Sequence, residues 1–93
     1  MEGKRYSELK ILLNSGVISN LILQPVFKLQ AGRKYRADFT YTDEKGRIIV
    51  EDVKGCETEV FKIKADLFEE KYKVIRLKNT PKGSIRWELQ EVL

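Results

Sequence analysis

Three residues in this chain have the types and spacing to do chemistry: Asp38, Asp52 and Lys54. Asp52 and Lys54 end the run Arg47-Ile48-Ile49-Val50-Glu51-Asp52-Val53-Lys54-Gly55, which begins apolar and β-branched, as a buried strand does. Strand alternation puts Ile48, Val50, Asp52 and Lys54 on one face and Ile49, Glu51 and Val53 on the other. Carboxylates at the end of a buried strand are costly to desolvate unless something compensates them. One compensation is a divalent metal, which lowers the pKa of water and neutralises charge on a phosphodiester undergoing hydrolysis. Mg²⁺ takes oxygen ligands and keeps several waters, so two or three carboxylates suffice. Asp38 and Asp52 are the expected ligands, with the Val53 carbonyl beside them. Lys54 is expected to position or deprotonate the attacking water, or to stabilise the phosphate. As a bare pattern, an Asp followed later by Asp-x-Lys recurs by chance. The alternative is a hairpin whose charged ends form salt bridges, each contributing roughly 0–1 kcal/mol.

Composition narrows the chemistry. The chain has 93 residues, enough for one small domain spanning residues 1–93, and 42% hydrophobic with 34% charged residues fits a folded domain. It has no histidine, which removes Ser/His and Cys/His nucleophilic schemes and the usual zinc sites. The single cysteine, Cys56, excludes an internal disulfide. Acid–base work must then fall to carboxylates, lysine, tyrosine or water on a metal ion. No apolar run reaches membrane-spanning length and no signal peptide is visible, so no membrane partner and a cytoplasmic location are expected. The net charge of +4 fits a polyanionic partner. Arg33, Lys34 and Arg36 cluster before one strand, and Lys62, Lys64, Lys71, Lys73, Arg76, Lys78, Lys82 and Arg86 populate the second half.

The remaining elements must position these groups. Residues 3–14 read as a helix with Tyr6, Leu9, Leu12 and Leu13 on its apolar side and Gly16 as a left-handed stop. Glu2 extends that face backward, either as an acid aimed at the sheet or as a terminal residue favoured by the helix dipole. Residues 21–29 read as a strand in which Pro25 implies an edge or a bulge. After a turn at 31–34, residues 34–42 read as a strand with Tyr35, Ala37, Phe39 and Tyr41 on one face and Arg36, Asp38 and Thr40 on the other. The loop 43–46 joins it to the strand 47–54, so the two are antiparallel neighbours and Asp38 is a candidate to lie near Asp52. Residues 58–71 read as a second helix starting near Glu57 or Thr58, with Val60, Phe61, Ile63, Leu67 and Phe68 as its apolar stripe. Lys64 lies within that stripe by angle, so it either snorkels to the edge or reaches a carboxylate in the sheet. A short strand follows at 73–77, then a turn at 78–83. The tail, 84–93, fits a strand through Ile85, Trp87 and Leu89 or a helix through Ile85, Leu89 and Val92; helix is the expectation. Three strands followed by a helical crossover predict a mixed sheet flanked by helices.

Ala37-Asp38, then Glu51-Asp52-Val53-Lys54 followed by a helix, resembles the PD-(D/E)xK nuclease superfamily, with Ala37 where the superfamily's name has proline. More closely, the chain resembles a family of small phage and prophage proteins placed in that superfamily. The resemblance rests on Glu2 through Tyr6, the Leu-x-x-Leu-x-x-x-Gly pattern from Leu9 to Gly16, and Ile18-Ser19-Asn20-Leu21. It continues in Gln24-Pro25-x-Phe27, Ala37-Asp38-Phe39-x-Tyr41, Glu51 through Gly55, and Thr58-Glu59-Val60-Phe61 through Lys64. It implies an α/β (α+β) fold with a restriction-endonuclease-like αβββαβ core, related to Holliday-junction resolvases, and a metal-dependent nuclease activity with Mg²⁺ or Mn²⁺. By position it assigns the nuclease motif to Asp38, Asp52 and Lys54, the first-helix acid to Glu2 and a basic site to Lys64. Gln24 and Thr58 match recurring family positions. Glu51 would replace Asp52 as ligand if the strand carried a bulge; regular alternation favours Asp52.

These readings converge on a metal-dependent DNA endonuclease, phage- or prophage-encoded and working in a bacterial cytoplasm. So small a domain offers little surface for base readout, so recognition of shape or branching is expected, with a homodimer supplying two cutting sites. The alternative is a catalytically silent nucleic-acid-binding or interaction module on the same fold.

Overall fold

A computed structural model of the chain describes residues 2–53, 58–78, 80 and 83–89, with the side chain of Glu2 outside the description. The elements run α1 (Glu2–Asn14), β1 (Ser19–Leu23), β2 (Val26–Lys28), β3 (Lys34–Arg36), β4 (Phe39–Thr42), β5 (Ile48–Val53), α2 (Glu59–Tyr72), β6 (Val74–Arg76) and β7 (Ser84–Leu89). A single 3-10 turn, Gln30–Gly32, joins β2 to β3. Five strands form one sheet in the order β1-β4-β5-β7-β6, and β2 pairs with β3 as a separate two-stranded sheet. The protein is thus of mixed α+β class.

Every described strand pair is antiparallel, which corrects the expected mixed sheet. The crossover through α2 does return β6 in the direction of β5, as a βαβ unit should. β7 then inserts between them and runs opposite to both. The same strand corrects the helical expectation for the tail. Its residues pair with β5 from Ile48↔Leu89 to Val53↔Ser84, and Trp87 is wholly buried opposite Val50. The Trp87 indole N–H donates to Glu69 Oε2 of α2 (2.7 Å), satisfying the polar tip of an otherwise apolar anchor.

The expected strands at 21–29 and 34–42 each break in the middle, and they break together. Gln24 adopts a left-handed conformation (φ 51°) before Pro25, which has no N–H to give a ladder. The Gln24 N–H donates to the Asp38 carbonyl (2.8 Å), and the Ala37 N–H donates to the Pro25 carbonyl (3.1 Å). Two hydrogen bonds therefore hold a paired corner, which turns β2 and β3 away from the main sheet and over α2. The consequence is a correction. Tyr35, Ala37, Phe39 and Tyr41 are all buried, but not on one face. Tyr35 and Ala37 join the α2-side core with Val50, Phe61, Ala65, Phe68 and Trp87. Phe39 and Tyr41 join the α1-side core with Leu9, Ile18 and Ile49.

Both helices dock as amphipathic elements. On α1, Leu9 is wholly buried, with Tyr6, Leu12 and Leu13 packed round it, and Gly16 (φ 82°) makes the left-handed stop. On α2, Thr58 is the N-cap, its Oγ1 accepting from the Phe61 N–H (3.1 Å), an interaction of about 1 kcal/mol. The buried stripe of α2 is Phe61, Ala65 and Phe68, rotated from the expected one. Val60 and Ile63 stay 64% and 51% exposed, and Lys64 sits half-buried on the flank. The small Ala65 is buried in the α2-side core. The Tyr72 hydroxyl donates to the Lys28 carbonyl (2.9 Å), which ties the small β2–β3 sheet to α2.

Candidate active site

β5 lies at the centre of the sheet, so a charge on either face has little access to water. Both Glu51 and Asp52 are 0% exposed. The strand is regular, with unbroken register to β4 and to β7. Alternation therefore holds, and the two acids point to opposite faces. Glu51 shares the α1 side with Ile49 and Val53, and Asp52 shares the α2 side with Val50.

On the α1 side, Glu51 is held by a cation and a phenol. Arg5 Nε donates to Oε2 (2.5 Å), Arg5 Nη2 donates to Oε1 (3.0 Å), and the Tyr41 hydroxyl donates to Oε1 (2.7 Å). The fork geometry of guanidinium on carboxylate makes these strong bonds. Burial works against the Arg5 charge, but its contacts with Glu51 outweigh that and hold it above its ordinary range. Burial, then the Glu51 charge and hydrogen bond, push the Tyr41 hydroxyl up to about 12. Arg5 also bonds Glu8 one turn along α1 (3.2 Å). This cluster pins α1 to the sheet.

On the α2 side, the Tyr35 hydroxyl donates to Asp52 Oδ2. Burial pushes the Tyr35 hydroxyl up, and the charges of Asp52 and Asp38 push it further. Asp38 stands one residue before β4, at the paired corner. Its N–H donates to the Glu51 carbonyl (3.2 Å), and its Oδ2 accepts from the Val53 N–H (2.7 Å). The backbone thus fixes the Asp38 carboxylate against the segment 51–53 that carries Asp52. Both acids thus act on the Tyr35 hydroxyl from this end of β5.

The other predicted residues fall into four groups. Lys64 on α2 and Thr58 at its N-cap line one cavity with Tyr35. Glu51 is turned to the opposite face, and without a bulge in β5 it has no route to the Asp52 side. Gln24 forms the corner and reaches Asp38 through its backbone. Lys54 and the side chain of Glu2 lie outside the described residues. Among the described residues no group of three or more Asp, Glu or Cys side chains is arranged to hold a metal ion. The oxygen groups that could hold a cation at this end of β5 are Asp38, Asp52 and the Val53 carbonyl, and Mg²⁺ is commonly bound through one or two carboxylates with its waters retained.

Sequence reasoning missed Tyr35, Arg5 and Tyr41. Tyr35 and Tyr41 read as core positions in an alternating strand. A buried tyrosine nevertheless needs a hydrogen-bond partner, and buried acids nearby are such partners. Arg5 carried no local signal, because its carboxylate lies 46 residues away in sequence.

No helix among the described residues is long and apolar enough to cross a membrane. A search of curated proteins returned no match. A search of solved structures also returned none. A family model described as "Protein of unknown function (DUF1064)" matches residues 1–86, nearly the whole chain, and the chain belongs to that family.

Proposed function

We propose that the chain is a Mg²⁺- or Mn²⁺-dependent DNA endonuclease on a restriction-endonuclease-like core, phage- or prophage-encoded and acting as a homodimer on branched DNA. The observation that carries this reading is the corner at Asp38. Two backbone hydrogen bonds break both strands there, and a third fastens the Asp38 carboxylate to Val53, beside Asp52. A carboxylate held in this way beside a second acid is an arrangement that suits Mg²⁺, which is commonly bound through one or two carboxylates.

Asp38, Asp52 and the Val53 carbonyl would hold the cation. A bound Mg²⁺ would supply charge neutralisation and water activation for phosphodiester cleavage. Tyr35, donating to Asp52 Oδ2, would orient that carboxylate. Lys54, the lysine of the Asp-x-Lys motif, would orient the attacking water or take its proton. Lys64 would bind a phosphate oxygen from α2.

The test is cleavage of branched and linear DNA with Mg²⁺ or Mn²⁺, comparing wild type with Asp52→Ala. Cleavage by the wild type and a loss of about 100-fold or more in the variant are expected, since a metal contributes several kcal/mol to such a step. No cleavage of any substrate by the wild type would defeat the proposal. The complete burial of Asp52 favours a second reading, a silent nucleic-acid-binding module on the same fold. That module would bind DNA without taking up Mn²⁺ at Asp38 and Asp52.

A further inference from the structure

The β2–β3 sheet folded over α2 leaves two adjoining open cavities. One, of about 380 Å³, is lined by Arg33, Lys34, Val60, Ile63 and Lys64. The other, of about 280 Å³, is lined by Tyr35, Arg36, Thr58, Val60, Phe61 and Lys64. They share Val60 and Lys64, so they lie side by side along α2, and together they are termed the trough. Four cations line it and, among the described residues, no carboxylate does. Elsewhere Arg5, Arg47 and Arg76 each pair with an acid. Arg33, Lys34, Arg36 and Lys64 make no ion pair among the described residues. Gathering four unpaired like charges along one trough is unfavourable unless an anion offsets them.

The floor of the trough is apolar. Val60 and Ile63 are exposed there, although helix periodicity would have let them face the core. The inner end is Tyr35, whose hydroxyl holds Asp52. A ligand filling the trough must therefore carry repeated negative charge, have apolar faces between the charges, and extend toward the carboxylate pair. A phosphodiester backbone has these properties, its sugars set against Val60 and Ile63 and its phosphates against the cations.

We infer that the trough between the β2–β3 sheet and α2 is the track for one DNA strand, with Arg33, Lys34, Arg36 and Lys64 as its phosphate contacts. The choice of DNA as the polyanion rests on the nuclease reading. The track itself rests on the geometry and charge of the trough.

The test is fluorescence anisotropy with a short labelled duplex in EDTA, so that binding is read without cleavage, over a series of salt concentrations. Wild type is compared with a triple Arg33→Gln, Lys34→Gln, Lys64→Gln variant. A control removes the same charge at Lys4, Lys10 and Lys45, which line neither cavity. The triple variant should bind roughly tenfold or more weakly, and its log affinity against log salt should be shallower by about 0.9 for each lost phosphate contact. The control should keep the wild-type slope. If the triple variant fails to fold by circular dichroism, the three single variants give the slope changes one at a time. The inference is overturned if wild type does not bind DNA, if the triple variant binds like wild type, or if the control loses as much. It is overturned too if polyglutamate competes as well as unlabelled DNA, which would mark a site for acidic protein. Binding that follows the expected pattern, with no cleavage under any metal, would leave the track standing and remove the nuclease reading.

Discussion

Glu51 and Asp52 are adjacent on one strand, equally buried, and differently used. Glu51 is gripped by Arg5 and Tyr41, so its charge is matched inside the fold and α1 is locked to β5. Asp52 meets the Tyr35 hydroxyl on the other face, where Asp38 is fastened nearby and a cationic trough opens. One acid is structural because a guanidinium closes it off. The other shares its face with Tyr35 and the α2-side core. A regular β5 separates the two roles by a single residue, because alternation sends neighbours to opposite faces.

The comparison breaks most visibly at Arg5. Arg5→Met would leave Glu51 buried without its cation, and removing one partner of a buried pair typically costs 3–5 kcal/mol. Arg5 keeps 16% of its side chain exposed, so a loss of about 3 kcal/mol in urea denaturation is expected. A variant as stable as wild type would mean that the α1 face is not pinned by this pair.

On the other face, Tyr35→Phe should leave stability closer to wild type but weaken Mn²⁺ binding by roughly 10- to 100-fold, as loss of a group orienting a metal ligand does. Calorimetric titration reads the affinity, and unchanged affinity would make Tyr35 a packing residue only.

Alkaline pH gives a smaller effect that reaches both faces. Tyr41 titrates near 10 in the unfolded chain and is pushed up to about 12 in the fold. A raised folded pKa means that its contribution is complete below about pH 10 and is lost as pH rises through about 12. Denaturant midpoints should hold to about pH 10 and then fall. Tyr41→Phe should flatten part of that fall. Tyr35, shifted in the same direction, should keep the remainder in that variant.

Much of this arrangement was legible in the sequence, and the parts that were not have physical reasons. β5 announced itself through Ile48, Ile49 and Val50, and the Asp43–Gly46 loop made β4 its neighbour. Asp43 does serve that turn, its Oδ1 accepting from the N–H groups of Lys45 and Arg47. The break between β3 and β4 was invisible in residues 34–42, whose alternation is perfect. Its signal sat in the partner strand at Pro25, and a kink in one paired strand obliges the other to follow. The tail was ambiguous because Ile85, Trp87 and Leu89 suit a strand while Ile85 and Leu89 also suit a helix; pairing with β5 decided it. On α2, apolar type alone could not say which arc faced the sheet, and Ala65 rather than Val60 or Ile63 lies on the buried line. The site followed the same division. The meeting of Asp38 with the 51–53 segment followed from the hairpin, whereas the Arg5–Glu51 pair depended on tertiary contact.

The division of labour between the two acids comes down to where a cation binds. Mn²⁺ electron paramagnetic resonance on wild type, Asp38→Asn, Asp52→Asn and Glu51→Gln, each checked for folding by circular dichroism, reads this directly. Wild type and Glu51→Gln should bind Mn²⁺, and both Asp variants should lose it. Binding that survives in Asp52→Asn, or that disappears only in Glu51→Gln, would contradict the assignment.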